Sequence, residues 1–329
     1  MKVEASAPGK IFLSGEYLAI EGSLATVLPT KQRAKIIIEE SKSSSNILYS
    51  LPLDKSFAFD VNDSFDIEWL DDNPMDMGLF IEKAIVLMQI KPATTRFTID
   101  TTDFYFQRRK IGIGSSSAIS SALIKAINKY FDIKQTHEMI IDSALNLHNS
   151  KQDSLGSGLD VIASSLDSGL IECDVKKARE GKWTKLEWPS ELLIKGVITS
   201  DESNTKEMIK KFLKGHAKNK EFFLALKIDA DQILKELSLS WKSKDSESIL
   251  VLMKQYNILM QQLDEEYHLG IYTEEHKALA NIANKLGLLY KPSGAGGGDL
   301  GLILTDNEMK LEQLIAELKD NDFQTLDLI

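Results

Sequence analysis

Apolar residues recur at helical spacing in several long stretches of this 329-residue chain, and shorter runs between them are strand-like. Ala118, Ile119, Ala122, Leu123, Ala126, Ile127 and Tyr130 form one apolar stripe, which predicts a helix opening just after residue 114. The same reading predicts helices over about 78–89, 136–151, 160–166, 205–238, 245–267, 274–285 and 307–319. Strands are expected at 2–7 and 10–14, on either side of Pro8-Gly9, at 33–39, within 56–70 and at 96–106. Further strands are expected in GLIEC (169–173), LLIKGVITS (192–200), LLY (288–290), LGLILT (300–305) and a final segment. SKSSSN (41–46) reads as a polar turn. Strands and helices mixed in both halves predict an α+β fold with helices laid against open sheets. Residues 174–190, polar and carrying two tryptophans and Pro189, read as a boundary, which gives domains of 1–185 and 186–329.

Composition narrows the function classes. A net charge of −10 argues against a nucleic-acid partner, which needs a basic face. No apolar run approaches the roughly 20 residues that span a bilayer, and the first residues lack a signal-peptide core. A cytoplasmic protein without a membrane partner, monomeric or homodimeric, is expected. Cys173 is the only cysteine, which excludes a disulfide framework and a cysteine-based zinc site. Within GLIEC it reads as a buried, inert thiol. The histidines form no HExxH pair, and His137 and His148 read as helix-surface or cap residues.

Two glycine-rich loops stand out. In KIGIGSSSA (110–118), Gly112 and Gly114 would let backbone approach a ligand, and Ser115 or Ser116 could cap the following helix. Free N–H groups in that first turn would then face an anion, helped by the helix dipole. A Gly-Ser turn of this kind also serves as a plain solvated connection. The loop is no Walker motif, and Ser117 stands where a dinucleotide fingerprint needs its third glycine. The second loop, KPSGAGGGDLG (291–301), contains a formal GxGxxG, but it precedes an apolar strand instead of opening a helix.

A third element is APGKIFLSGEY (7–17). These three motifs, in this order and over nearly the whole chain, resemble those of the GHMP small-molecule kinases. Within that superfamily GEY, GSGLDV (156–161) and SGAGGGD (293–299) are similar to the phosphomevalonate kinase branch. Mevalonate kinases instead carry GEH, PSGxDN and TGAGGGG. HNSKQ (148–152) also lacks the acid that mevalonate kinases use as a metal ligand.

The resemblance implies a two-domain fold, an N-terminal mixed α/β domain and a ferredoxin-like C-terminal domain with extra helices, with ATP and acceptor meeting between them. It implies phosphorylation of 5-phosphomevalonate to 5-diphosphomevalonate in isoprenoid biosynthesis, with ATP and Mg²⁺ as cofactors and a phosphorylated small molecule as partner. Backbone from Gly112, Ile113, Gly114, Ser115, Ser116 and Ser117 would cradle the nucleotide phosphates, with the Ser116 hydroxyl available to Mg²⁺. Lys10, Lys110 and Asp160 are the implied catalytic residues. Acceptor contacts would come from Lys10, Tyr17, Ser157, Gly158, Asp160, Thr205, Ser293, Gly294, Ala295 and Gly296. Lys206, Lys291 and hydroxyls of 199–205 are further candidates for the acceptor's own phosphate, although each alone reads as a solvated surface residue. Mevalonate as acceptor, or a catalytically silent ligand sensor of the same fold, are the alternative readings.

Overall fold

β1 (Lys2–Ser14) and β2 (Leu24–Glu40) pair with each other near the start of the chain. The computed structural model describes residues 1–152, 158–174, 182–201 and 203–329. These residues divide into two compact units, and both strands contribute to each. The first unit is Met1–Lys10, Gln32–Arg109 and Gly114–Asp167; the second is Ile11–Lys31, Lys110–Ile113 and Ser168–Ile329. Where a break was expected at Pro8-Gly9, β1 runs straight through. Its ladder partner is β2, and a strand paired along one edge tolerates a residue that lacks an N–H.

In the first unit the distal half of β2 pairs antiparallel with β6 (Thr95–Asp100). β6 runs parallel to β3 (Asn46–Ser50), and antiparallel pairing continues through β4 (Lys55–Val61) to β5 (Ile67–Trp69). Ile36, Ile38, Leu48, Phe59 and Phe97 alternate toward one buried face. The helices of this unit are α1 (Asp76–Met88), α2 (Ser115–Tyr130), α3 (His137–Gln152) and α4 (Leu159–Leu166). α3 and α4 both pack on α2, so the helix after the first glycine loop is enclosed by its neighbours.

In the second unit the proximal half of β2 pairs with β9 (Leu170–Asp174), which pairs with β10 (Thr184–Leu186). Cys173 is buried in β9, as expected. A separate antiparallel sheet has the order β12 (Leu289–Pro292), β13 (Leu300–Thr305), β11 (Leu193–Ile198), β14 (Gln324–Asp327). Numbered within this sheet, the order from the other edge is 4-1-3-2, the ferredoxin-like arrangement the resemblance implied. α9 (Glu308–Asp320) connects β13 to β14. The extra helices α5 (Thr205–Lys218), α6 (Lys220–Ser243), α7 (Ser246–Tyr267) and α8 (Glu274–Lys285) lie between β11 and β12 in sequence. The helix expected over 205–238 is two helices, because Asn219 both ends α5 and caps α6, accepting the Phe222 N–H at 3.2 Å.

Gly215 in α5 shows how tightly these helices meet. A methyl group there would lie 2.5 Å from a ring carbon of Tyr267 at the end of α7. Glycine to alanine within a helix normally gains about 1 kcal/mol, whereas forcing a carbon into a packed core costs about 1–3 kcal/mol. Gly215→Ala is therefore expected to lower the unfolding free energy by up to about 2 kcal/mol, read as a lower urea midpoint. A midpoint equal to or above wild type would show that Tyr267 gives way freely.

Candidate active site

The first glycine loop ends in a left-handed residue. Gly114 has φ +77° and is the N-cap of α2, with no side-chain cap hydrogen bond. This corrects the expectation that Ser115 or Ser116 caps the helix. The first helical bond runs from the Ala118 N–H to the Gly114 carbonyl at 3.2 Å. The amides of Ser115, Ser116 and Ser117 therefore have no intrahelical acceptor and point along the positive end of the helix dipole.

Lys10 reaches this turn from β1. A Cβ on Gly114 would fall 2.7 Å from Lys10 Cε and 3.1 Å from Ser117 Oγ, so only glycine leaves room for the lysine stem. The structure thus brings Lys10, Gly114 and Ser117 together within one unit. Ser117 is fully buried, and its hydroxyl donates to the Gly114 carbonyl at 2.8 Å and accepts from Ser164 Oγ at 3.1 Å. Ser121 and Ser165 meet at 2.8 Å one turn along. These hydroxyls join α2 to α4. The buried Ser116 Oγ has no hydrogen-bond partner among the described residues.

α4 also opens on a left-handed glycine, Gly158 with φ +77°, and carries Asp160 in its first turn. Asp160 Oδ1 accepts the Val161 N–H at 3.0 Å, and Oδ2 lies 3.6 Å from His148 Nε2, an electrostatic contact too long for a hydrogen bond. His148, expected on the helix surface, has its side chain 3% exposed on α3. Helical spacing from Ile141 through Ala144 to His148 was the available signal. Ser157 lies outside the described residues.

The remaining candidates belong to the second unit. Lys110 is exposed at the end of the short strand β8 (Arg109–Lys110), and Ile113 is buried. Gly112, with φ +67°, has Asp299 against it; a Cβ there would lie 2.3 Å from Asp299 Cβ. Asp299 in turn accepts the Ser203 N–H at 3.2 Å through Oδ1. Thr205 is exposed at the start of α5, and Lys206 is half-buried.

Most glycines of the 291–301 loop face protein. A Cβ on Gly296 would strike Ile271, one on Gly298 the Asp201 backbone, and one on Gly301 the Tyr290 hydroxyl. Gly294 is the exception, with open space where its side chain would be. Ser203 Oγ donates to the Gly296 carbonyl at 2.5 Å, and the Ser293 N–H donates to the Leu300 carbonyl at 2.9 Å. The Tyr17 hydroxyl donates to the Ala295 carbonyl at 2.5 Å, and burial pushes that phenol well above its usual pKa.

Lys291 overturns both readings of it, since it is neither a solvated residue nor an available phosphate contact. It is buried and ion-paired with Glu16. Tyr256 escaped the sequence reading, and Glu16 entered it only as part of GEY with no role of its own, because their partners lie 240 and 275 residues away.

His276 supports the loop from behind. Its Nδ1 accepts from the Tyr290 hydroxyl at 2.6 Å, and Nε2 donates to the Gly298 carbonyl at 3.3 Å. Burial lowers its pKa below the ordinary 6.5, chiefly by desolvating the charged ring.

Two family models match the chain. One described as GHMP kinases N terminal domain covers residues 87–168, and one described as GHMP kinases C terminal covers residues 227–323. A phosphomevalonate kinase from a Streptomyces species is 23% identical, over 92% of this chain and 89% of its own. A mevalonate kinase from Methanocaldococcus jannaschii is 26% identical, over 96% of this chain and 95% of its own. The structure of Streptococcus pneumoniae phosphomevalonate kinase in complex with phosphomevalonate and AMPPNP has a TM-score of 0.78 at 18% identity. That alignment covers 99% of this chain and 100% of the other, which is a likeness of fold.

The His276 environment has a measurable consequence. As pH falls through about 6.5, the unfolded chain takes up a proton that the buried ring resists. Stability is then complete above 6.5 and declines toward the lower folded-state value, with a slope of at most about 1.4 kcal/mol per pH unit. His276→Gln should show a shallower decline in unfolding free energy between pH 7 and 5.5. Parallel wild-type and variant slopes would sink this assignment.

Proposed function

The chain belongs to the GHMP kinase family, and on that premise we propose that it transfers the terminal phosphoryl group of ATP to 5-phosphomevalonate, giving ADP and 5-diphosphomevalonate. The observation that carries the donor half is the N-terminus of α2, with uncapped amides at Ser115–Ser117 and the Lys10 stem lying across Gly114. The acceptor half is supported by GEY, GSGLDV and SGAGGGD, and by the likeness to proteins named phosphomevalonate kinase.

Phosphoryl transfer calls for positioning and charge neutralisation more than covalent chemistry. The α2 amides bind phosphate oxygens, and Lys10 spreads the charge that develops as the phosphoryl group moves. The unpartnered, buried Ser116 hydroxyl suits a hard cation as one oxygen ligand, and Mg²⁺ arriving with the nucleotide would neutralise phosphate charge there. Among the described residues no group of three acidic, histidine or cysteine side chains could hold a metal by itself. Ser117 acts through its backbone, because its hydroxyl is committed to Gly114 and Ser164.

A phosphate monoester has its second pKa near about 6 and is mostly a dianion at neutral pH, so the attacking oxygen needs little help from a base. Asp160 is accordingly an organiser of the reacting groups, with His148 behind it. Lys110 contributes a cation at the entrance of the glycine loop. The likeness to a mevalonate kinase supports a second reading with mevalonate as acceptor, an alcohol that would benefit from a base.

ADP release measured with mevalonate, phosphomevalonate, homoserine and galactose decides the acceptor. Phosphomevalonate should give the highest kcat/KM, and a preference for mevalonate would replace this assignment with the second reading. Lys10→Met should lower kcat by about 10²–10³-fold, with ATP binding changed far less; an undiminished kcat would remove Lys10 from the mechanism. Gly114→Val should weaken ATP binding by at least about tenfold, because it combines a left-handed φ with a clash on Lys10. Unchanged binding in a direct titration would make the loop an ordinary turn.

A further inference from the structure

Glu16 and Tyr17 are adjacent in sequence and grip two separated points of one loop. The Glu16 carboxylate is ion-paired through Oε1 with Lys291 Nζ, and the two side chains are 6% and 2% exposed. Lys291 immediately precedes Pro292-Ser293-Gly294-Ala295, and the Tyr17 hydroxyl holds the Ala295 carbonyl at 2.5 Å. Both flanks of Ser293-Gly294 are thereby tied to one dipeptide.

Each grip is itself fixed. Glu16 Oε2 accepts from the Tyr256 hydroxyl at 3.0 Å, and the Tyr256 hydroxyl oxygen accepts the Gly15 N–H at 2.9 Å. Burial, and then the Glu16 charge, push the Tyr256 phenol well above its usual pKa, so it remains a donor. Lys291 Nζ also lies 3.5 Å from the Phe12 carbonyl. The Tyr17 ring packs against Phe212 with centroids 5.2 Å apart. Between the two tied points, Gly294 has φ +64° and no neighbour within 4 Å of a would-be Cβ. The loop is therefore anchored at its sides and open at its tip.

We propose that Glu16, Lys291 and Tyr17 form a clamp that positions the Ser293-Gly294 tip for the phosphorylated acceptor, with Tyr17, whose hydroxyl is committed to Ala295, as a positioning residue in place of the direct acceptor contact the resemblance implied. The acceptor part rests on the reading given under Proposed function. A buried ion pair and a hydroxyl–carbonyl bond each demand one geometry, whereas an apolar contact tolerates sliding. That distinction matters for a glycine-rich loop, whose backbone has many accessible conformations.

Two variants test the clamp. Tyr17→Phe deletes one hydroxyl and keeps the ring on Phe212. Glu16→Gln combined with Lys291→Met removes the ion pair without stranding a buried charge. Amide hydrogen exchange is followed in the unliganded protein at Ser293, Gly296 and Gly297, alongside KM and kcat for phosphomevalonate and for ATP. In both variants loop exchange should accelerate by at least about fivefold while amides of β13 beyond Gly301 stay at wild-type rates. Acceptor KM should rise by about 5- to 10-fold, with ATP KM within about twofold.

Unchanged loop exchange overturns the clamp. Faster exchange with unchanged acceptor KM and kcat overturns its positioning role. Faster exchange in a protein whose wild type phosphorylates neither phosphomevalonate nor mevalonate supports the clamp and defeats the acceptor reading instead. If the double variant fails to fold, Tyr17→Phe alone decides.

Discussion

The first unit is organised around the left-handed turn at Gly114. A positive φ at that residue swings the chain from the loop into α2 and leaves the helix start without a side-chain cap. The absent Cβ admits the Lys10 stem, and the Gly114 carbonyl is braced by Ser117 and, through it, by Ser164 on α4. A cation, a set of unspent amides and the helix bearing Asp160 are thus held by one small patch of backbone. None of these parts could move far without disturbing the others, which is the property electrostatic catalysis requires of its donors.

The two units use charge in opposite ways. In the first unit the α2 amides, which could bind an anion, are left without intrahelical acceptors, and the buried Ser116 hydroxyl is unpartnered among the described residues. On the loop side, charges are consumed internally. Lys291 is spent on Glu16, and Asp264 accepts three successive backbone N–H groups, from Gly270, Ile271 and Tyr272, at 2.6–2.9 Å. Ile271 then forms the wall that Gly296 lies against. A chain with a net charge of −10 still gathers Lys10 and the α2 amides at one turn, while acids such as Glu16 and Asp264 are engaged elsewhere.

Features governed by nearest neighbours were legible in the sequence. The apolar stripe from Ala118 to Tyr130 predicted α2, and the glycine loop before it was identified as a strand-to-helix turn. The α+β class and the ferredoxin-like sheet followed from element order and from the family motifs. Asn219 hid inside a helical pattern because a cap interrupts periodicity by a single residue. β3 was missed because the serine tract before it masks the short alternation of NILYS. Lys291 and His148 were misread for a different reason. A polar side chain in a surface-like pattern is taken as solvated: for His148 the helical spacing to Ile141 and Ala144 was overlooked, whereas for Lys291 only its tertiary partner, Glu16, reveals why it is buried. That pair, separated by 275 residues, leaves no local trace.

The interleaving of the two units bears on how the chain can fold while it is being made. Residues 11–31 emerge early, yet they belong with 168–329. Leu24–Val27 must wait for Ile171–Asp174 to emerge as a ladder partner, and Glu16 must wait for Tyr256 and then Lys291. Contacts this distant in sequence make folding slow, because a long loop has to close before they are gained. The N-terminal segment thus presents an unpaired edge until the middle of the chain is made, and an uncompensated carboxylate until Lys291 is made near its end.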